Sequence, residues 1–301
     1  MQSIQSRLVK TVLRIINVKK MWEVTGDELR KNIEKNQLPK GHEPPKKIQR
    51  RFNISKNIIN DYCYYVMKPL SNIQQKHILF LHGGGYVHEI MHTHWRYLKK
   101  LTDALQCTVI VPIYPLAPGH QYMEVFDMII PIYRQITSQA EPEDIVIMGD
   151  SAGGAMSLAL TQLLKEKDLP QPGNIILISP ALDWTFSNPE IHEVEKLDPL
   201  LAAPALREIG KWYGGEKGSK HYLVSPIYGS LDGLGKISLF TGTNDILYPD
   251  AKRFKMKADE KGIKLDYYEY PSMIHAWPLL FFPESRKATQ QIIEIIKTSK
   301  K

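Results

Sequence analysis

One short segment constrains this chain more than any other. The apolar run Ile145-Val146-Ile147-Met148 leads into Gly149-Asp150-Ser151-Ala152-Gly153-Gly154, and a long stretch of helical character follows. A strand that passes through glycines straight into a helix is the setting of a nucleophile elbow, where a serine sits at the tip of a strained turn. Because the chain folds back so sharply there, a bulky side chain two positions to either side of the serine would collide. Gly149 and Gly153 occupy those two positions, which makes Ser151 the candidate nucleophile. A pattern of five residues also arises by chance, so its weight depends on its surroundings.

Those surroundings alternate short β-branched or aromatic runs with helical periods from about residue 58 onward, the mark of an α/β chain with a mainly parallel sheet covered on both faces. The strands are expected at Tyr62–Met67, Ile78–Leu81, Thr108–Ile113, Ile145–Met148, Ile175–Ile178, Ile237–Thr241 and Leu265–Tyr270. Trp95, Leu98, Leu101 and Leu105 recur at helical spacing, as do Met156, Leu160 and Leu163, and both sets read as packing faces. The stretch from Trp184 to Tyr228 breaks the rhythm with several prolines and no clear strand, and Leu38 to Ile48 reads as a Pro- and Lys-rich linker. No internal repeat is present.

A second glycine motif, His82-Gly83-Gly84-Gly85-Tyr86, follows the strand-like run His77–Leu81. Acyl transfer passes through a tetrahedral oxyanion, and a loop without side chains can aim bare N–H donors at that oxygen. Gly83 and Gly84 are the expected donors, with the N–H of Ala152 just after the nucleophile. The competing reading is a glycine-rich turn or a phosphate loop. The latter lacks both G-x-x-x-x-G-K-[ST] and a spaced G-x-G-x-x-G opening a βαβ unit.

With Tyr114-Pro115-Leu116-Ala117-Pro118 between them, and Leu177-Ile178-Ser179-Pro180, Ser225-Pro226 and Gly242-Thr243-Asn244-Asp245-Ile246-Leu247 downstream, these motifs resemble the hormone-sensitive-lipase-like branch of the α/β-hydrolases, a group of serine esterases. The resemblance spans residues 75–280. It implies a mostly parallel eight-stranded sheet flanked by helices, with a helical cap built from the N-terminus and an insertion: cap helices and linker over 1–50, core over 51–301, cap insertion at about 184–228. It also implies the partners of Ser151. A serine hydroxyl needs a base, and the base needs an acid to set its tautomer, in the chain order Ser, Asp or Glu, His. Of His192, His221 and His275, the last lies after the final strand, where the family keeps its base; the other two read as solvated cap residues. Asp245 stands where the family carries its acid. Asp250 is the nearest competitor and reads as a helix-start carboxylate. Asp150 is expected to brace the elbow, and the role of Asp183 is open.

Two departures from the family pattern bear on substrate rather than on reaction type. Tyr114-Pro115-Leu116-Ala117-Pro118-Gly119-His120 lacks an arginine and a glutamate that relatives pair, which questions how this loop is braced. His275-Ala276-Trp277 sets a bulky indole beside the base, where it would narrow the pocket.

The expected function is therefore a serine carboxylesterase that cleaves short-chain acyl esters through an acyl-enzyme, with no cofactor. Alternatives are an acetyl esterase or deacetylase of sugar or xenobiotic esters, an amidase or peptidase, and a non-catalytic ligand receptor; retention of His275 argues against the last. No long apolar surface segment marks an interfacial lipase. Lys plus Arg exceeds Asp plus Glu by 39 − 32 = 7, but the lysines are scattered, including a C-terminal group from Lys297 to Lys301, and no nucleic-acid motif accompanies them. Cys63 and Cys107 make no disulfide framework, in keeping with a cytoplasmic location, and no zinc spacing occurs. The only expected partner is a small-molecule ester, with a homodimer left open. From Ser3 to Trp22, Ile4, Leu8, Val12, Ile15 and Ile16 form an apolar stripe among Arg7, Lys10, Arg14, Lys19 and Lys20. Lys10 and Arg14 interrupt any signal-peptide core, no run is long enough to span a membrane, and a cap role is favoured over a membrane-surface helix.

Overall fold

Alternation of buried side chains along one central strand shows how the layers are built. The computed structural model describes residues 2–37, 42–71 and 76–298. β1 (Asn53–Ile59) and β2 (Tyr62–Lys68) form an antiparallel hairpin turned by Asn60 and Asp61, both at positive φ, as two-residue hairpin turns demand. β3 (His77–Leu81), β4 (Thr108–Pro112), β5 (Ile145–Asp150), β6 (Asn174–Ile178), β7 (Lys236–Gly242) and β8 (Leu265–Tyr270) are mutually parallel and give the sheet order β1-β2-β4-β3-β5-β6-β7-β8. All seven expected strands are present. β1 is additional: its sequence Asn-Ile-Ser-Lys-Asn-Ile-Ile is mostly exposed at the sheet edge, so no apolar run announces it.

Ahead of the sheet come α1 (Ile4–Ile15), α2 (Gly26–Asn36) and the single turn α3 (Lys46–Gln49). Within it lie α4 (His92–Leu105), α5 (Tyr122–Thr137), α6 (Ala152–Glu166), α7 (Ile191–Glu195), α8 (Ala203–Gly214) and α9 (Tyr248–Glu260), and α10 (Pro283–Thr298) follows β8. Ile78 and Phe80 of β3 face a core completed by Trp95 and Leu98 of α4 and Ile292 and Ile296 of α10. Leu79 and Leu81 point the other way, into a core with Phe126 and Ile129 of α5 and Leu160 of α6. This two-residue alternation is what a sheet covered on both faces requires.

Residues 184–228 carry α7 and α8 and no strand. α8 packs against the turn Val18–Trp22, so N-terminal segment and insertion meet above the C-terminal ends of the strands. Of the Pro- and Lys-rich linker, residues 38–41 lie outside the described residues, as do Lys300 and Lys301 of the C-terminal lysine group; the rest includes α3, whose Ile48 is buried.

α1 corrects an expectation. Its apolar stripe Ile4, Leu8, Val12 and Ile15 faces solvent, and Ser6, Lys10, Val9 and Leu13 face the protein. The Lys10 ammonium reaches the Ser272 carbonyl at 3.2 Å. The molecule therefore does expose an apolar segment. Among the described residues no helix is long and apolar enough to cross a membrane.

Candidate active site

Ser151 links β5 to α6 with φ 55° and ψ −122°, a conformation costly for a residue with a side chain. Its neighbours hold it there. The Ser151 N–H donates to the Ile178 carbonyl of β6 at 2.9 Å, and its carbonyl accepts from Ala155 and Ala181, each at 3.1 Å. The glycines are required by packing against β3: a Cβ on Gly149 would lie 2.4 Å from the Leu81 carbonyl oxygen, and one on Gly153 only 2.0 Å from it.

The loop after β3 lies beside this turn. Gly83, expected as an oxyanion donor, gives its N–H to the Asp150 carboxylate at 3.0 Å. A Cβ at Gly83 would overlap that carboxylate. The N–H groups of Gly84, Gly85 and Ala152 donate to no protein acceptor among the described residues. Gly84 and Gly85 take φ 125° and 63° and face the same cavity as Ser151. Asp150 is the expected brace, and it has a partner that sequence reasoning missed: His94, fully buried on α4, whose Nε2 lies 3.2 Å from the carboxylate. Burial pushes the Asp150 carboxyl up, but His94 and the Gly83 N–H outweigh it and hold the group below its ordinary value. His82 stacks on Tyr114 with ring centroids 4.2 Å apart, and burial drives its imidazole down to about 3, so it stays neutral.

Opposite the elbow, His275 Nδ1 lies 2.9 Å from Asp245 Oδ2. The loop after β8 is tied at two points, by the Ala276 N–H to the Ser179 hydroxyl (3.1 Å) and by the Ser272 N–H to the Thr243 hydroxyl (2.8 Å). Asp245 is fully buried and also accepts the Leu247 N–H at 3.0 Å. Burial pulls the His275 imidazole down; the charge and hydrogen bond of Asp245, with Asp198 and Asp150 behind, more than offset it and leave the ring above its ordinary value. Asp198 was not anticipated. It lies in the 184–228 insertion, accepts the Ile246 N–H at 2.9 Å beside the triad-position acid, and is raised to about 7 by burial and by the Asp245 charge.

Ser151, Asp150, His275, Gly84 and Gly85 line one cavity of about 540 Å³, walled by Val9, Leu13, Trp22, Trp184, Phe186, Leu206 and Leu280. No hydrogen bond joins the Ser151 hydroxyl to His275 among the described residues; such contacts commonly tighten only when substrate binds. A larger, more polar groove lies at the opposite ends of the strands, around His77, Thr108 and Pro142, away from all these side chains.

The remaining candidates fall elsewhere. His192 is exposed as expected, whereas His221 is half-buried between Tyr122 and Tyr222, with ring centroids 5.0 and 5.1 Å away. Asp250 stands in the first turn of α9 and, with Asp183, binds Arg253. Trp277 does not narrow the cavity: its indole is buried in the core against Tyr270. The loop that lacks the arginine and glutamate has substitutes. Gln37 at the end of α2 donates to the Ala117 and Val87 carbonyls at 2.7 and 2.8 Å, and His120 pairs with Glu124. No group of residues with metal-holding geometry occurs among the described residues.

Comparison with known proteins agrees with this fold. A family model described as alpha/beta hydrolase fold matches residues 78–279. The chain is 34% identical to an esterase of Acinetobacter venetianus over 72% of this chain and 73% of that one, and 27% identical to an acetyl-hydrolase of Streptomyces hygroscopicus over 74% and 75%. Among solved structures, an esterase/lipase from an uncultured bacterium superposes with a TM-score of 0.84 at 26% identity, covering 99% of both chains. An esterase of the bacterial hormone-sensitive lipase family shares the fold at 24% identity, with a TM-score of 0.81 over 99% of both chains.

Proposed function

The chain belongs to the α/β-hydrolase family and is a carboxylic ester hydrolase; from that premise we propose that Ser151 is its nucleophile, His275 its general base and Asp245 the acid that orients the base. The observation that carries this reading is the 2.9 Å contact between His275 and a buried Asp245, on the cavity that Ser151 faces from a strained turn. In the reaction, the Ser151 hydroxyl loses its proton to His275 Nε2 as its oxygen attacks the ester carbonyl. Asp245, bonded at Nδ1, fixes the tautomer and stabilises the imidazolium. The N–H groups of Gly84, Gly85 and Ala152 receive the developing oxyanion, and each such donor is worth roughly 3 kcal/mol of barrier. His275 then protonates the departing alkoxide, and a water molecule repeats the sequence in reverse on the acyl-enzyme.

The substrates are short-chain acyl esters, acetyl esters among them. A mainly apolar cavity of about 540 Å³ is in the range of sites for small molecules, and the name of the acetyl-hydrolase relative favours the same group. The segments around α1, α2, α7 and α8 serve as the cap that decides what enters. Two free cysteines favour a reducing location, the cytoplasm.

Ser151→Ala tests the assignment. Hydrolysis of p-nitrophenyl butyrate should fall about 10⁶-fold, by analogy with loss of the nucleophile in a serine protease, with an unchanged circular dichroism spectrum. Labelling by a fluorophosphonate probe should disappear with it. A variant that keeps its turnover, or a wild-type protein that takes no label, overturns the reading.

A further inference from the structure

We propose that the outer face of α1 docks on a bilayer surface that carries anionic headgroups. Ile4, Leu8, Val12 and Ile15 are 73%, 62%, 46% and 76% exposed, a continuous stripe along a helix that gains nothing by leaving it in water. The opposite face already has its packing partner: Val9 and Leu13 line the cavity, and Ser6 and Lys10 are buried. The stripe is therefore not the face with which α1 caps the cavity.

Charge decides which occupant the stripe fits. Residues 1–22 contain five Lys or Arg and no Asp or Glu. Arg7, Arg14 and Lys20 are exposed, and by helical spacing Arg7 and Arg14 fall on one flank of the stripe. Glu284, at the start of α10, is engaged by the Ser3 hydroxyl at 2.8 Å. An apolar strip edged by cations matches a surface of acyl chains beneath negative headgroups. A second copy of this chain matches it less well, because two-fold pairing through α1 would set these like charges against one another. The cavity shares the neighbourhood: Met21 and Phe281 line it and are themselves 41% and 59% exposed. Docking through α1 brings esters dissolved in the bilayer close to the cavity rim.

Co-sedimentation with vesicles separates the outcomes. The full chain should bind phosphatidylcholine–phosphatidylglycerol vesicles about tenfold or more tightly than phosphatidylcholine alone, and added salt should weaken the binding. The double variant Leu8→Gln/Ile15→Gln should lose most of that binding, while its hydrolysis of p-nitrophenyl butyrate in free solution stays at the wild-type rate, which shows that it folds. Neither residue lines the cavity. The proposal is overturned if the full chain does not sediment with anionic vesicles at low salt or if the double variant binds them equally. It is also overturned if light scattering shows a wild-type dimer that the same substitutions split, since the stripe would then be a subunit interface. Binding is read without catalysis, so its failure leaves the assignment of Ser151 standing.

Discussion

Two pairs of buried carboxylates are held in different ways. Asp183 and Asp250 share Arg253, whose guanidinium lies 3.1 and 3.3 Å from them, and Tyr228 and Asn188 add hydrogen bonds at 2.8 and 3.1 Å. Asp245 and Asp198 have no lysine or arginine paired with them among the described residues. Their oxygens take backbone N–H groups of Leu247, Ile246, Leu200 and Leu201, and the one ionisable partner is His275. In the first pair one shared guanidinium offsets part of the charge and ties both carboxylates down, which makes that pair a brace. The second faces an imidazole, which is the arrangement that the proposed role of His275 as base requires.

The sharpest way to break this contrast is to exchange the roles. Asp245→Asn should lower kcat about 10⁴-fold, as loss of the orienting acid does in a serine protease, whereas Asp250→Asn should leave kcat within about threefold. The reverse pattern, read with p-nitrophenyl butyrate, would move the acid to α9. A finer test uses pH. The proposed mechanism needs neutral His275, so kcat/KM should rise with pH through the imidazole titration, and because the folded ring lies above its ordinary 6.5, that rise should be centred above 6.5. Asp198→Asn removes one of the groups that raise it, and the rise should move to lower pH. An unmoved profile would reduce Asp198 to a tie between the insertion and the Asp245 loop. The smallest effect on rate is expected from Arg253→Ala, which should leave kcat unchanged. It should cost about 2 kcal/mol of stability, between the values for exposed and buried pairs, seen as a lower midpoint in urea unfolding. A large loss of kcat there would mean that the two pairs are not independent.

Much of this was readable from local pattern. The parallel strands are continuous apolar runs because both of their faces are buried, and both glycine loops announce themselves at strand ends. What escaped depends on contacts between distant segments. Gly83 looks like its neighbours until Asp150, 67 residues on, takes its N–H. His94 reads as one more histidine near a helix start, and only folding sets it against the elbow carboxylate. For α1 the periodicity itself was sound but could not say which side faces inward, since Val9 and Leu13 make a second, narrower apolar face. Trp277 stands next in sequence but one to His275, yet the positive φ of Ala276 between them turns the indole into the core.

The Gln37 side chain bridges two carbonyls, one just beyond the glycine loop and one in the loop that follows β4. α2 is thereby a strut that ties these two loops together. A protease that nicked the chain ahead of β1 and released the first two helices would disarm the enzyme with every reacting group still in place.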